Sequence, residues 1–265
     1  MLGLVTALSL ALVATPDPTT LSAIQPTPAV QSDTRILASI RETVAGTETG
    51  SVLAVLATGF SEDYAAFEQR MLARARTGTL DAAAMDSMAA EFASMMMTRH
   101  LSRVVEARTE DLVALSSVRL EMMKALQQGH AAACHEFVEA GLSPDRIAEL
   151  GLGASHGLET LSRAVIALIA QPPRGVTHSE PPITAWETIG RRYAELGGNP
   201  AWVAALFGDR NYTGQSHGER CASAVLWETA VSEAAPEVRA YYISALYVAP
   251  QAPATVAPQP QGTQP

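Results

Sequence analysis

The sequence predicts an all-α fold, and three observations carry that prediction. Hydrophobic residues make up 48% of the 265 positions but aromatics only 5%, so a core must rest on Ala, Leu, Val and Met. Ala and Leu lose least on ordering into a helix. Helix start and stop signals are dense between residues 33 and 248, whereas the apolar/polar alternation of half-buried strands is essentially missing. These signals divide residues 33–248 into roughly seven to ten helices.

The first segment, 1–14, reads MLGLVTALSLALVA. It is short of the ~20 apolar residues that a spanning helix needs, and it fits the apolar region of a secretory signal better. Leu12 and Ala14 suit the positions before a cleavage at Thr15. No basic residue precedes Arg35, which departs from the usual signal pattern, and a short uncleaved membrane anchor is the rival expectation. Residues 15–32 are rich in Pro and Thr and read as a linker. Residues 249–265, with PQAPATVAPQPQGTQP, have no apolar face and read as a disordered tail. The expected location is therefore periplasmic or secreted, with the anchored form as the alternative.

Within 33–248, Asp33 opens the first helix. SVLAVLAT at 51–58 suits a helix and a strand equally. Ser61, followed by Glu62 and Asp63, is expected to cap a helix that runs to Arg76 and stops at Gly78. Another begins near Leu80, with Met85, Met88, Phe92 and Met95 along one face. Thr109-Glu110-Asp111 restarts the chain into Leu112, Leu115, Met122 and Leu126. Gly129 and Gly141 bracket a short helix, and Ser143-Pro144-Asp145 starts the next. Thr184…Glu187 and Ser216…Glu219 have the spacing of capping boxes. Asn199-Pro200 starts a short helix, and Pro236 opens the last, which ends near Tyr247.

Charge narrows the partners. The net charge is −9 and the sequence pI about 5.1. Such a chain repels nucleic-acid phosphates and anionic membrane surfaces, so neither is an expected partner; the partner is left open, with another protein as one candidate. Lys124 is the only lysine among otherwise Arg-borne positive charges, a bias expected of a GC-rich bacterial genome.

The two cysteines form the central question. Cys134 lies in HAAACHEF, and Cys221 lies 87 residues further on. In an oxidising compartment the even pair reads as a disulfide. Closing a loop of that size stabilises by about 4–5 kcal/mol in the chain-entropy model. The alternative is a zinc site, because His130 and Cys134, and again His217 and Cys221, stand at i and i+4. Two free buried thiols are a third option. A catalytic thiolate is disfavoured, since His135 projects about 100° away from Cys134 around a helix and Glu136 opposes a lowered pKa.

Other candidates are weaker. Met96, Met97 and His100 share a helical face and offer soft ligands suited to copper, but Met stripes are ordinarily core. Ser155 and Ser216 each sit in Gly-x-Ser-x-Gly, yet neither follows a strand, so both read as helix caps and not as hydrolase nucleophiles. The two surrounding stretches, at 153 and 214, match too sparsely to establish an internal duplication. His178 and Glu180 lie in a Pro-rich loop without an identifiable partner. Trp186, Trp202 and Trp227 read as core anchors. No phosphate-binding or dinucleotide loop and no HExxH or CxxC is present. The sequence therefore predicts no cofactor and no catalytic group, and reads as a non-enzymatic binding or scaffolding module. A metal-handling protein is the second reading and a serine hydrolase the last.

Overall fold

A computed structural model of the chain describes residues 32–139, 141–142, 144–203 and 215–248. The expected signal or anchor, most of the linker, the tail and the Ser143 cap lie outside these residues. Among them the chain forms twelve α-helices, one 3-10 turn and no strand. In order, these are α1 (Asp33–Val44), α2 (Glu48–Gly59), α3 (Ser61–Arg76), α4 (Ala82–His100), α5 (Ser102–Val105) and α6 (Thr109–Gln127). Then follow α7 (Ala131–Glu139), α8 (Pro144–Ala148), α9 (Leu152–Ile169), α10 (Ile183–Glu195), α11 (His217–Ser232) and α12 (Pro236–Tyr247). The 3-10 turn, Pro200–Trp202, sits between α10 and α11. Ten of the helices have seven residues or more, the upper end of the expected range. The ambiguous run 51–58 lies inside α2 and is helical.

Most boundaries follow local chemistry. The Asn199 side chain accepts from Ala201 N as the 3-10 turn begins, and Pro236 occupies the first turn of α12. Gly78 ends α3 in the left-handed region at φ +70°, where any Cβ would be strained. The Asp81 side chain accepts from Ala84 N at 2.7 Å and starts α4. Ser216 makes the full capping box with Glu219: its Oγ accepts from Glu219 N while its own N donates to the Glu219 carboxylate.

Three expected caps are corrected, one of them Ser155, which lies inside α9 because Gly151 already has the extended geometry of its N-cap. Ser61 is the first helical residue, because Phe60 closes α2 through Leu56 O and opens α3 through Tyr64 N, leaving Ser61 no place outside the helix. Thr184 lies within the first turn of α10. Pro182, at φ −60° and ψ 153°, already has the geometry that precedes a helix, so α10 starts at Ile183 with no side-chain cap. The apolar stripe of α4 is also shifted. It runs through Met85, Met88, Phe92, Met96 and Met97, while Met95 is half-buried and its sulfur lies 4.0 Å from Arg99 Nη2. A 3.6-residue turn carries the stripe from 92 to 96 more closely than to 95.

The helices pack in two groups. The central helix α6 contacts α7, α9, α11 and α12, and α10 packs on α11. The second group is α1 to α4, with α2 against α3, α4 and α9. Its centre is Phe67 stacked on Phe92 at 4.6 Å, both fully buried. Helix α9 joins the groups. There the ends of α2 and α9 approach so closely that a Cβ on Gly59 would lie 2.4 Å from the Ala170 carbonyl oxygen. That contact demands glycine.

Candidate functional site

The chemically distinctive region is where α6, α7, α11 and α12 meet. α7 carries Ala133, Cys134 and Phe137 inward, and α11 carries Cys221, Ala224, Val225 and Glu228. Facing one another, Cys134 and Cys221 form a disulfide with a Cα–Cα distance of 5.5 Å, and both are 0% exposed. With both sulfurs bonded, neither can serve as a thiolate to zinc.

The histidines flanking the pair have separate partners. His130 Nε2 accepts from Gly151 N at 3.3 Å, which ties the start of α7 to the start of α9. The His217 ring stands edge-on to His135 at 4.8 Å. His135 Nε2 lies 2.9 Å from Glu139 Oε1 and 3.0 Å from Arg220 Nη1. Among the described residues no group of three or more His, Cys, Asp and Glu is arranged to hold a metal ion.

Below the disulfide lies a buried charge pair. Arg119 Nε of α6 donates to Glu228 Oε1 of α11 at 2.8 Å, with the two side chains 3% and 2% exposed. Tyr242 OH of α12 donates to the same oxygen at 2.9 Å. The guanidinium lies over the Phe137 ring, 4.8 Å from its centroid, which adds a cation–π contact from α7. Burial opposes the Arg119 charge, but Glu228 beside it, with Tyr242 and Tyr247, holds the guanidinium above its ordinary value. Burial pushes the Tyr247 phenol up to about 12, and burial together with the Glu228 charge holds Tyr242 well above its ordinary value. One network thus contacts four helices. It is sealed from solvent, so it can fix their register but cannot meet a substrate.

This network does not stand out in the sequence as a group, although its members carry a signal. Arg119 interrupts the stripe Leu112, Leu115, Met122, Leu126, and Glu228 interrupts Cys221, Val225, Val231. A charge at the helical spacing of a core stripe, matched by an opposite charge in another stripe, marks a buried pair. His135, Glu139 and Arg220 were equally hard to group, because α7 and α11 are far apart in the chain.

The remaining candidates are dispersed. Met96 and Met97 are 0% and 3% exposed and belong to the core of α4. His100 stacks on Phe60 at 4.4 Å, and burial followed by the Arg103 charge lowers its pKa. Ser155 lies in the first turn of α9, donating weakly to Leu150 O at 3.4 Å; the N-cap there is Gly151. The Ser216 hydroxyl is occupied in the capping box. No strand leads into either serine among the described residues. His178 Nε2 lies 2.9 Å from Ala107 O, so the Pro-rich loop is tied back to the turn before α6, while Glu180 is exposed. Trp227 is buried and Trp186 packs on the core against Tyr241, as expected of anchors; Trp202 is half-buried in the 3-10 turn. Among the described residues, no helix is long and apolar enough to cross a membrane.

No protein-family model matches this chain, and neither a curated protein nor a solved structure matches it.

Proposed function

We propose that the protein is an exported helical module, periplasmic or secreted, that binds or scaffolds another protein and performs no chemistry of its own. The observation that carries this reading is the fully buried Cys134–Cys221 bond. Disulfides that close long loops form and persist where the surroundings are oxidising. The signal-like run at 1–14 and its following Pro/Thr-rich stretch point the same way. The acidic surface charge favours a protein partner over nucleic acid. The reactive side chains singled out in the sequence are engaged in structural bonds: Cys134 with Cys221, His130 with Gly151, and Ser216 with Glu219.

Mass measurement under non-reducing conditions, on protein isolated from its native compartment, tests the reading. The expected product begins near Thr15 and is lighter by two hydrogens than the dithiol chain. A product that begins at Met1 and carries two free thiols overturns it.

A further inference from the structure

We propose that His135 is a proton-operated switch at the disulfide-linked junction of α7 and α11. Its Nε2 lies 2.9 Å from Glu139 Oε1 and 3.0 Å from Arg220 Nη1, and Arg220 Nη1 is itself 3.0 Å from Glu139 Oε1. One ring nitrogen cannot serve both neighbours. With its lone pair free it accepts from Arg220; carrying a proton it donates to Glu139. In its Nδ1-protonated tautomer the neutral ring bonds α7 to α11. The imidazolium bonds instead to Glu139, one turn along its own helix, and sets its positive charge beside the guanidinium. Two positive charges at that distance repel. Protonation exchanges the His135–Arg220 hydrogen bond between the helices for one within α7, and leaves the Arg220–Glu139 ion pair as the polar link between the two groups.

The surroundings direct this change. His217 stands edge-on at 4.8 Å, a second imidazole packed against the first. The charged groups of the packed elements are otherwise engaged. On α7, Glu136 pairs with Arg146 of α8 at 3.0 Å, and Arg146 also with Glu149. On α11, Glu219 is held by Ser216 N at 2.7 Å. From α6, Arg119 is tied to Glu228 at 2.8 Å. Glu139 is thus the carboxylate that His135 meets among the described residues. The His135 side chain is 13% exposed, shielded enough for its bonds to matter yet open to protons.

The neighbouring disulfide decides what can move. Cys134 precedes His135 and Cys221 follows Arg220, and their Cα atoms are held 5.5 Å apart. The helices cannot part at this point. The first turn of α11, from Ser216 to Arg220, takes up the change. This inference rests on the junction and not on export; it holds for the folded, disulfide-bonded chain wherever that chain resides.

Hydrogen exchange of the α11 first-turn amides, measured by NMR across the imidazole titration range on the full disulfide-bonded chain, provides the test. The Arg220 amide, which donates to Ser216 O, is the reporter. Its protection, corrected for intrinsic exchange, is expected to fall about 2- to 5-fold as the pH drops. The midpoint should coincide with that of the His135 ring signals. His135→Gln should abolish the transition and His217→Gln should keep it. Should His135→Gln fail to fold, Arg220→Gln serves in its place: His135 should still titrate while the reporter no longer responds. Constant protection while His135 titrates, or a transition that survives either His135→Gln or Arg220→Gln, overturns the proposal.

Discussion

The two helix groups solve stability differently. The α1–α4 group buries chiefly carbon and sulfur, with Phe67, Met71, Met85, Met88, Phe92 and Met96, and its buried polar groups are Thr49 and the Glu68 carboxylate. Its ion pairs, Arg41–Glu68, Arg76–Asp33 and Arg99–Asp63, keep the arginine heads at the surface. The α6/α7/α11/α12 group instead buries a full ion pair and a disulfide. Apolar packing tolerates sliding, because one Met fills a gap about as well as another. A buried charge with one partner, and a covalent bond with one partner, tolerate no alternative register. The pair that organises the second group is therefore specific first and stabilising second.

Breaking one half of that pair should have the largest effect. Glu228→Ala leaves Arg119 charged and unpaired in the core, and should cost about 3–5 kcal/mol in denaturant unfolding. The double change Arg119→Met with Glu228→Leu removes both charges together and should cost far less. Equal losses in the single and double variants would show that the pair contributes net stability, not only register. Removing the disulfide as Cys134→Ala with Cys221→Ala comes next, with a loss of about 2–4 kcal/mol. Reduced wild type should approach the same value.

Alkaline pH should expose the buried phenols. The Tyr247 pKa is raised from 10.0 to about 12 by burial, so the folded state holds a proton that the unfolded state releases. That contribution is fully present below pH 10 and is lost as pH rises through about 12, a change of roughly 3 kcal/mol. Tyrosinate absorbance followed alongside unfolding checks it, and Tyr247→Phe should flatten this part of the curve. The smallest effect belongs to the first group. Glu68→Gln removes a pair whose Arg41 side is 60% exposed, and should cost at most about 1 kcal/mol, with the difference shrinking in high salt. A larger loss there would erase the contrast between the groups.

Sequence alone determined the local events. Composition and period set the all-α class, and short-range chemistry placed the boundaries at Gly78, Thr109 and Pro236 and the capping box at Ser216. It also offered the cysteine pair, although it left disulfide and zinc both open. The errors at Ser61 and Thr184 arose where a neighbour, Phe60 or Pro182, already supplied the helix-starting geometry. Tertiary structure alone decided which distant groups meet. Arg119 and Glu228 are 109 residues apart, and His135 and Arg220 are 85 apart. Helical periodicity says which way a side chain faces but not what it faces. The partner depends on how α6, α7, α11 and α12 pack around one another. That packing turned HAAACHEF from a row of possible ligands into one end of a covalent junction, with His135 poised between a carboxylate and a guanidinium.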